Sequence, residues 1–255
     1  MLYLIGATLQ LRALSSATPL SARWHWLIAI PALVVHTLAC VQFIFTSSGV
    51  HLGIYPISTL ITVIMVAFVV VSSIRQPVHS LLILVYPLTA FSLMVASFLE
   101  STFVPLSNLA PGLVSHILIS IIAYSILMMA ALQSLMVGYM EHRIRSRQKI
   151  TLLRLLPPLE SMERLLFSML WVGFITLTFA IGSGFMFLDA TEYAVHHTVL
   201  SSASWLLYLV LLIGHHVLGW RGGAAVRWTL VAFAFLLLGY FGSKFVLEII
   251  LERAG

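Results

Sequence analysis

Eight apolar stretches run through this chain with only short breaks, at about residues 1–14, 24–46, 52–74, 78–99, 112–140, 165–188, 198–218 and 225–250. A helix needs about 20 apolar residues to cross the ~30 Å hydrocarbon core of a bilayer, and all but the first stretch reach that length. Composition closes off the alternatives. With 61% hydrophobic and 8% charged residues and a mean hydropathy of +1.08, the chain cannot clothe a water-soluble surface. It is equally unlike a disordered chain, which is poor in the residues that abound here. The expected fold class is all-α, a polytopic transmembrane helical bundle of about eight spans in one domain over residues 1–255.

The first stretch is the weakest. Met1 to Leu11 would rise only about 17 Å as a helix. It is expected to be either a partial span that continues past Arg12 or the end of a span that starts upstream of Met1. A cleaved signal peptide is not expected, because its positive charge would precede the apolar core and Arg12 follows it.

The balance of 13 Lys and Arg against 8 Asp and Glu is a matter of topology rather than of nucleic-acid binding. The connections after the first, third, fifth and seventh stretches hold Arg12, Arg23, Arg75, Arg143, Arg145, Arg147, Lys149, Arg154, Arg164, Arg221 and Arg227, which is 11 of the 13. The intervening connections hold no basic residue but contain Glu100, Asp189 and Glu192. Basic loops stay in the cytoplasm, so this alternation predicts both termini outside. The longest polar stretch, the 24 residues from Glu141 to Arg164, is then a cytoplasmic connector. In it Pro157-Pro158 followed by Glu160 and Arg164 predicts a helix start with an i,i+4 ion pair.

Few residues can carry chemistry. The lone Cys40 excludes an intramolecular disulfide and a CxxC pair. There is no phosphate-binding glycine loop, no HExxH and no catalytic triad, so an enzyme is not expected. Carboxylates are too peripheral for a proton path through the bilayer centre. The small residues Ala180, Gly182, Ser183 and Gly184 predict a close helix–helix approach.

The ten histidines are the informative set. His25, His79, His142, His215 and His216 fall at cytoplasmic ends, and His51, His196 and His197 in outer loops. The pair His196-His197 behind Asp189 and Glu192 could hold a divalent cation, although a solvated loop explains it better. His36 stands 13 residues beyond Arg23, roughly 20 Å into the membrane, and His116 near the outer mouth of the fifth span. An imidazole at such depth faces the bundle interior and is by default a functional candidate. Neutral imidazole is a good axial ligand for haem iron, whereas interhelical hydrogen bonding is the plainer role.

An ordered set of segments carries a resemblance. They are Pro111-Gly112 leading to His116, Ala123-Tyr124 with Ala130, Ala131, Leu132 and Gln133, the run Pro157 to Arg164, and Gly173-Phe174 with Leu177-Thr178. Val199-Leu200-Ser201 with Trp205, Gly219-Trp220-Arg221-Gly222 and Gly239-Tyr240-Phe241-Gly242-Ser243 complete it. Over about residues 24–250 the chain resembles the integral-membrane cytochrome c assembly family (CcsA/ResC/HemX type), in its YpjD-type branch of the bacterial inner membrane. The resemblance implies haem handling on the outer side, with His36 as a membrane histidine and His116 as an outer one, and haem b as the cofactor. The chain departs from the haem exporters of that family. Gly184 to His197 contains no Trp, Ile213 stands where a second membrane histidine is expected, and no histidine follows Gly242.

Three functions follow for comparison: a haem-binding cytochrome c assembly protein, a cofactor-free membrane partner or regulatory subunit, and, least supported, a transporter component. The partners expected are the lipid bilayer, haem and other membrane proteins, with no nucleic acid. The topology is testable by reporter fusions. A fusion after Arg147 should be active with a cytoplasmic reporter and silent with an exported one, and the reverse result would overturn the assigned orientation.

Overall fold

The computed structural model describes residues 1–16, 22–47, 49–73, 78–99, 110–146, 157–187 and 192–245. Each of the eight apolar stretches contains a helix: α1 (Leu2–Ser16), α2 (Ala22–Ile44), α3 (Ile54–Ser72), α4 (Leu82–Phe98), α5 (Pro111–Arg145), α6 (Leu159–Phe187), α7 (Glu192–Leu218) and α8 (Gly222–Leu237). A two-residue antiparallel pairing, β1 (Phe45–Thr46) with β2 (Gly49–Val50), links α2 to α3. A 3₁₀ turn, His79–Leu81, precedes α4, and a π-helical turn, Leu238–Gly242, follows α8 before a last turn, α9 (Ser243–Phe245).

Among the described residues six helices are long and apolar enough to cross a bilayer, namely α2, α3, α5, α6, α7 and α8 with its π turn. The apolar α4 has 17 residues and α1 has 15, rises of about 26 and 22 Å. Large apolar side chains such as Leu27, Val35, Phe91, Phe179 and Phe185 point outward, as lipid-facing residues do. Inside the helices, Thr59, Thr62, Thr89, Ser125 and Ser134 hydroxyls donate to carbonyls three or four residues back, so small polar side chains need no water.

The packing falls into two groups of four. Helices α1 to α4 pack on one another, α5 to α8 do likewise, and α3 against α5 joins the groups. Helix α5 is the centre of the second group. Pro111 occupies its first turn, where the missing N–H costs nothing, and His142, Arg143 and Arg145 sit at its carbonyl end, where positive charge is favoured. The Pro-Pro signal marks the start of α6, and Arg164 bonds Glu160 at 3.0 Å.

The most extensive contact is that of α5 with α6. A Cβ added at Gly173 would stand 2.5 Å from Leu127 Cδ2, whereas nothing lies within 4 Å of one at Gly182. A Cβ at Gly112 of α5 would stand as close to Phe187 of α6, at 2.5 Å, and within the small-residue run Ala180 is buried and Ser183 contacts His116 of α5.

At the opposite end of the second group, the turn between α7 and α8 needs glycine. Gly219 and Gly222 have φ of +67° and +52°, and the Gly222 N–H donates to Glu163 Oε1 at 2.8 Å. A carboxylate from α6 thereby caps the first turn of α8.

Gly173→Val should destabilise the protein by about 1–3 kcal/mol through overpacking, while Gly182→Val should be near neutral. Thermal unfolding in detergent measures both. Equal effects would contradict the α5–α6 contact described above.

Candidate functional site

The buried face of α2 reads Ala29, Ala32, His36 and Cys40, one helical stripe with a single imidazole in it. The stripe of α1 that meets it is Tyr3, Ala7 and Gln10. His36 is 1% exposed, so it faces the bundle interior as expected from its depth. Its Nδ1 is 3.1 Å from Tyr3 Oη, and the two rings meet edge to face at 5.5 Å. Tyr86 from α4 closes the group, with its ring 5.4 Å from that of Tyr3. Gly6 makes room for it, since a Cβ there would stand 2.6 Å from the Tyr86 ring. The polar satisfaction stops there: His36 Nε2 and Tyr86 Oη are both buried without a hydrogen-bond partner.

His116 occupies a second place, between α5 and α6. Its Nδ1 lies 3.0 Å from Ser183 Oγ, and the Ser183 hydroxyl donates to the Ala180 carbonyl at 2.9 Å. A hydroxyl has one proton, so the imidazole must be the donor in the first bond. That assigns the Nδ1–H tautomer and leaves the Nε2 lone pair as the basic position.

The structure does not gather His36 and His116 around one point. They belong to different helix groups and bond different partners. His197 of α7 belongs to the same helix group as His116. The His197 ring meets Tyr240 edge to face at 6.0 Å, and Tyr240 also lies 5.5 Å from Tyr124. Tyr240 stands on the π turn, a local widening of the helix that recurs at functional positions. The sequence placed His197 in an outer loop and offered no signal that it would meet Tyr240.

The remaining histidines are accounted for differently. His215 stacks on Phe167 at 3.5 Å and contacts the Trp220 carbonyl at 2.8 Å, so it belongs to the α7–α8 turn. His216 leans on Trp171. The side chains of His25, His79 and His196 lie outside the described residues. Among the described residues no three His, Cys, Asp or Glu side chains converge as a metal site would require.

The model of the family described as cytochrome c assembly protein matches residues 24–251. The chain belongs to that family. It is 29% identical over 226 residues to the inner membrane protein YpjD of Escherichia coli K12, covering 87% of this chain and 86% of that protein. The YpjD of strain O157:H7 gives the same figures. An uncharacterized 28.8 kDa protein of Azospirillum brasilense is 36% identical over 140 residues, 53% of this chain and 52% of its own length. No solved structure matches. With its apolar helices and these relatives, the chain is a multi-pass inner-membrane protein.

The bond between Tyr3 and His36 makes a direct prediction. A double-mutant cycle of Tyr3→Phe and His36→Ala, read by unfolding in detergent, should give a coupling of about 0.6 kcal/mol and below about 1.7. Additive effects would show that the two side chains do not interact.

Proposed function

We propose that this member of the cytochrome c assembly family handles haem in the membrane, with His36 and His116 as axial-ligand candidates and haem b as the bound group. The observation that carries the proposal is the state of His36, a fully buried imidazole whose Nδ1 is engaged by Tyr3 while its Nε2 faces no protein partner. A ligating histidine has that arrangement, with one ring nitrogen fixed by an outer partner and the other given to the metal. His116 shares one half of it, a hydroxyl partner on Nδ1 from Ser183.

Haem would supply an iron centre whose affinity and potential follow its axial ligands. The chain's own contribution is orientation. As a ligand His36 carries its proton on Nδ1 and donates it to Tyr3 Oη, which holds the ring plane. Ser183 does the same for His116. The two sites act separately, each offering one nitrogen.

A second reading, a cofactor-free membrane partner or regulatory subunit, is favoured by a different observation. The stretch Gly184 to His197 lacks Trp and position 213 is Ile, so the haem exporters' ligand set is incomplete. In that reading the Tyr3–His36 bond is simply interhelical adhesion.

Spectra separate the two. Protein purified from haem-replete cells should show a Soret band, reduced by His36→Ala and by His116→Ala and unchanged by His142→Ala at the exposed end of α5. A parent protein with no Soret band, or equal haem loss from all three variants, would favour the cofactor-free reading.

A further inference from the structure

A cavity of about 240 Å³ opens where α5, α6 and the turn before α4 meet, at the end of the bundle that bears the basic connectors. It lies apart from both histidine sites. Its volume falls below the ~300 Å³ at which pockets for drug-sized ligands begin, so it suits a head group rather than a macrocycle. Val78 and Leu165 give it an apolar side, and Ser80, Gln133, Ser161 and Arg164 a polar one.

The polar side is built from inside. Gln133 is only 2% exposed, and its Nε2 donates to the Met162 carbonyl at 3.0 Å. One N–H serves that bond, which leaves the other N–H and the carbonyl oxygen of a buried amide for whatever occupies the cavity. Such a group is costly to leave unmet in an apolar bundle. Ser80 and Ser161 add hydroxyls that no hydrogen bond engages among the described residues. Arg164 adds the charge. Its ion pair with Glu160 is open to water, with side chains 74% and 78% exposed, and such a pair gives way readily to a better anion. The cavity also meets the start of α6. There the Ser161 and Met162 N–H groups both bond the Pro158 carbonyl, so that turn's backbone is satisfied and the polar groups offered to the cavity are side chains.

We infer that this cavity binds the phosphate of a glycerol-type phosphate ester. Arg164 and the Ser80 and Ser161 hydroxyls meet the phosphate oxygens, and the Gln133 amide meets the ester or hydroxyl group behind it. The chemistry is shared by an acidic phospholipid of the basic-side leaflet and by a soluble glycerol phosphate. The inference stands independently of the haem reading.

The test uses the full chain in detergent, native mass spectrometry, and two probes, dioleoylphosphatidylglycerol and sn-glycerol 3-phosphate. At least one should bind saturably at one per chain. Binding by the lipid alone identifies a lipid site, and competition by glycerol 3-phosphate identifies a soluble ester. Arg164→Gln should weaken binding about tenfold, as expected for a lost charged hydrogen bond, with partial recovery in Arg164→Lys. Arg145→Gln, on the same basic end but outside the cavity, should change it less than about twofold. Ser161→Trp, at an exposed position that folding tolerates, should fill the cavity and abolish binding. Equal weakening by Arg164→Gln and Arg145→Gln, undiminished binding to Ser161→Trp, or no saturable binding of either probe would overturn the inference.

Discussion

The absence of water from the hydrocarbon core governs this molecule more than any single contact. Every polar group in a span must find its partner within the protein. Most serine and threonine hydroxyls do so locally, on carbonyls of their own helix. Others reach between helices: Ser204 donates to the Ala232 carbonyl at 2.8 Å, and the Tyr124 hydroxyl donates to the Leu236 carbonyl. The second bond has a structural cause. Leu236 stands just before the π turn, where the change from i→i+4 to i→i+5 bonding interrupts the regular ladder, and Tyr124 supplies a donor there. Against that background His36 Nε2 belongs to a small set of buried polar atoms with no hydrogen-bond partner, with the Tyr86, Tyr208 and Thr229 hydroxyls.

How much of this was legible in the sequence depends on what each feature needs. The helices were legible because a span is defined by length and apolarity alone. Their ends were less so. Helix α6 begins at Leu159 and α7 at Glu192, before the apolar stretches, since the polar first turns carry no hydropathy signal. The Pro157-Pro158 start was readable from local sterics. Which small residues of α6 turn inward was not legible, because small residues permit contact but do not choose the face. Gly173 faces Leu127, whereas Gly182 faces away from its neighbours.

The histidines divide along the same line. Depth alone predicted that His36 would turn inward, since the alternative is an imidazole in lipid. That Tyr3 meets it required α1 to lie against both α2 and α4, an arrangement no pairwise pattern in the sequence states. The meeting of His116 with Ser183, 67 residues away, depends on the register of α5 against α6. His197 meets Tyr240 through α7 packing on the π turn. Contacts set by register between helices are invisible to periodicity, which fixes a face but not a height.

The two histidines share one chemical logic despite their separate surroundings. Each has a hydroxyl at Nδ1, from a tyrosine in one case and a serine in the other. The difference lies in what the hydroxyl must do with its own proton. Ser183 commits its proton to Ala180, which forces His116 to donate and leaves Nε2 basic. Tyr3 has no such second bond, so it can donate to or accept from His36, and the tautomer there is free to follow whatever meets Nε2. A proton at Nε2 would be buried with no acceptor, a cost that a metal or other Lewis acid at that position would remove. The tautomer of His116 is therefore set by its neighbours, while that of His36 is left open by its own.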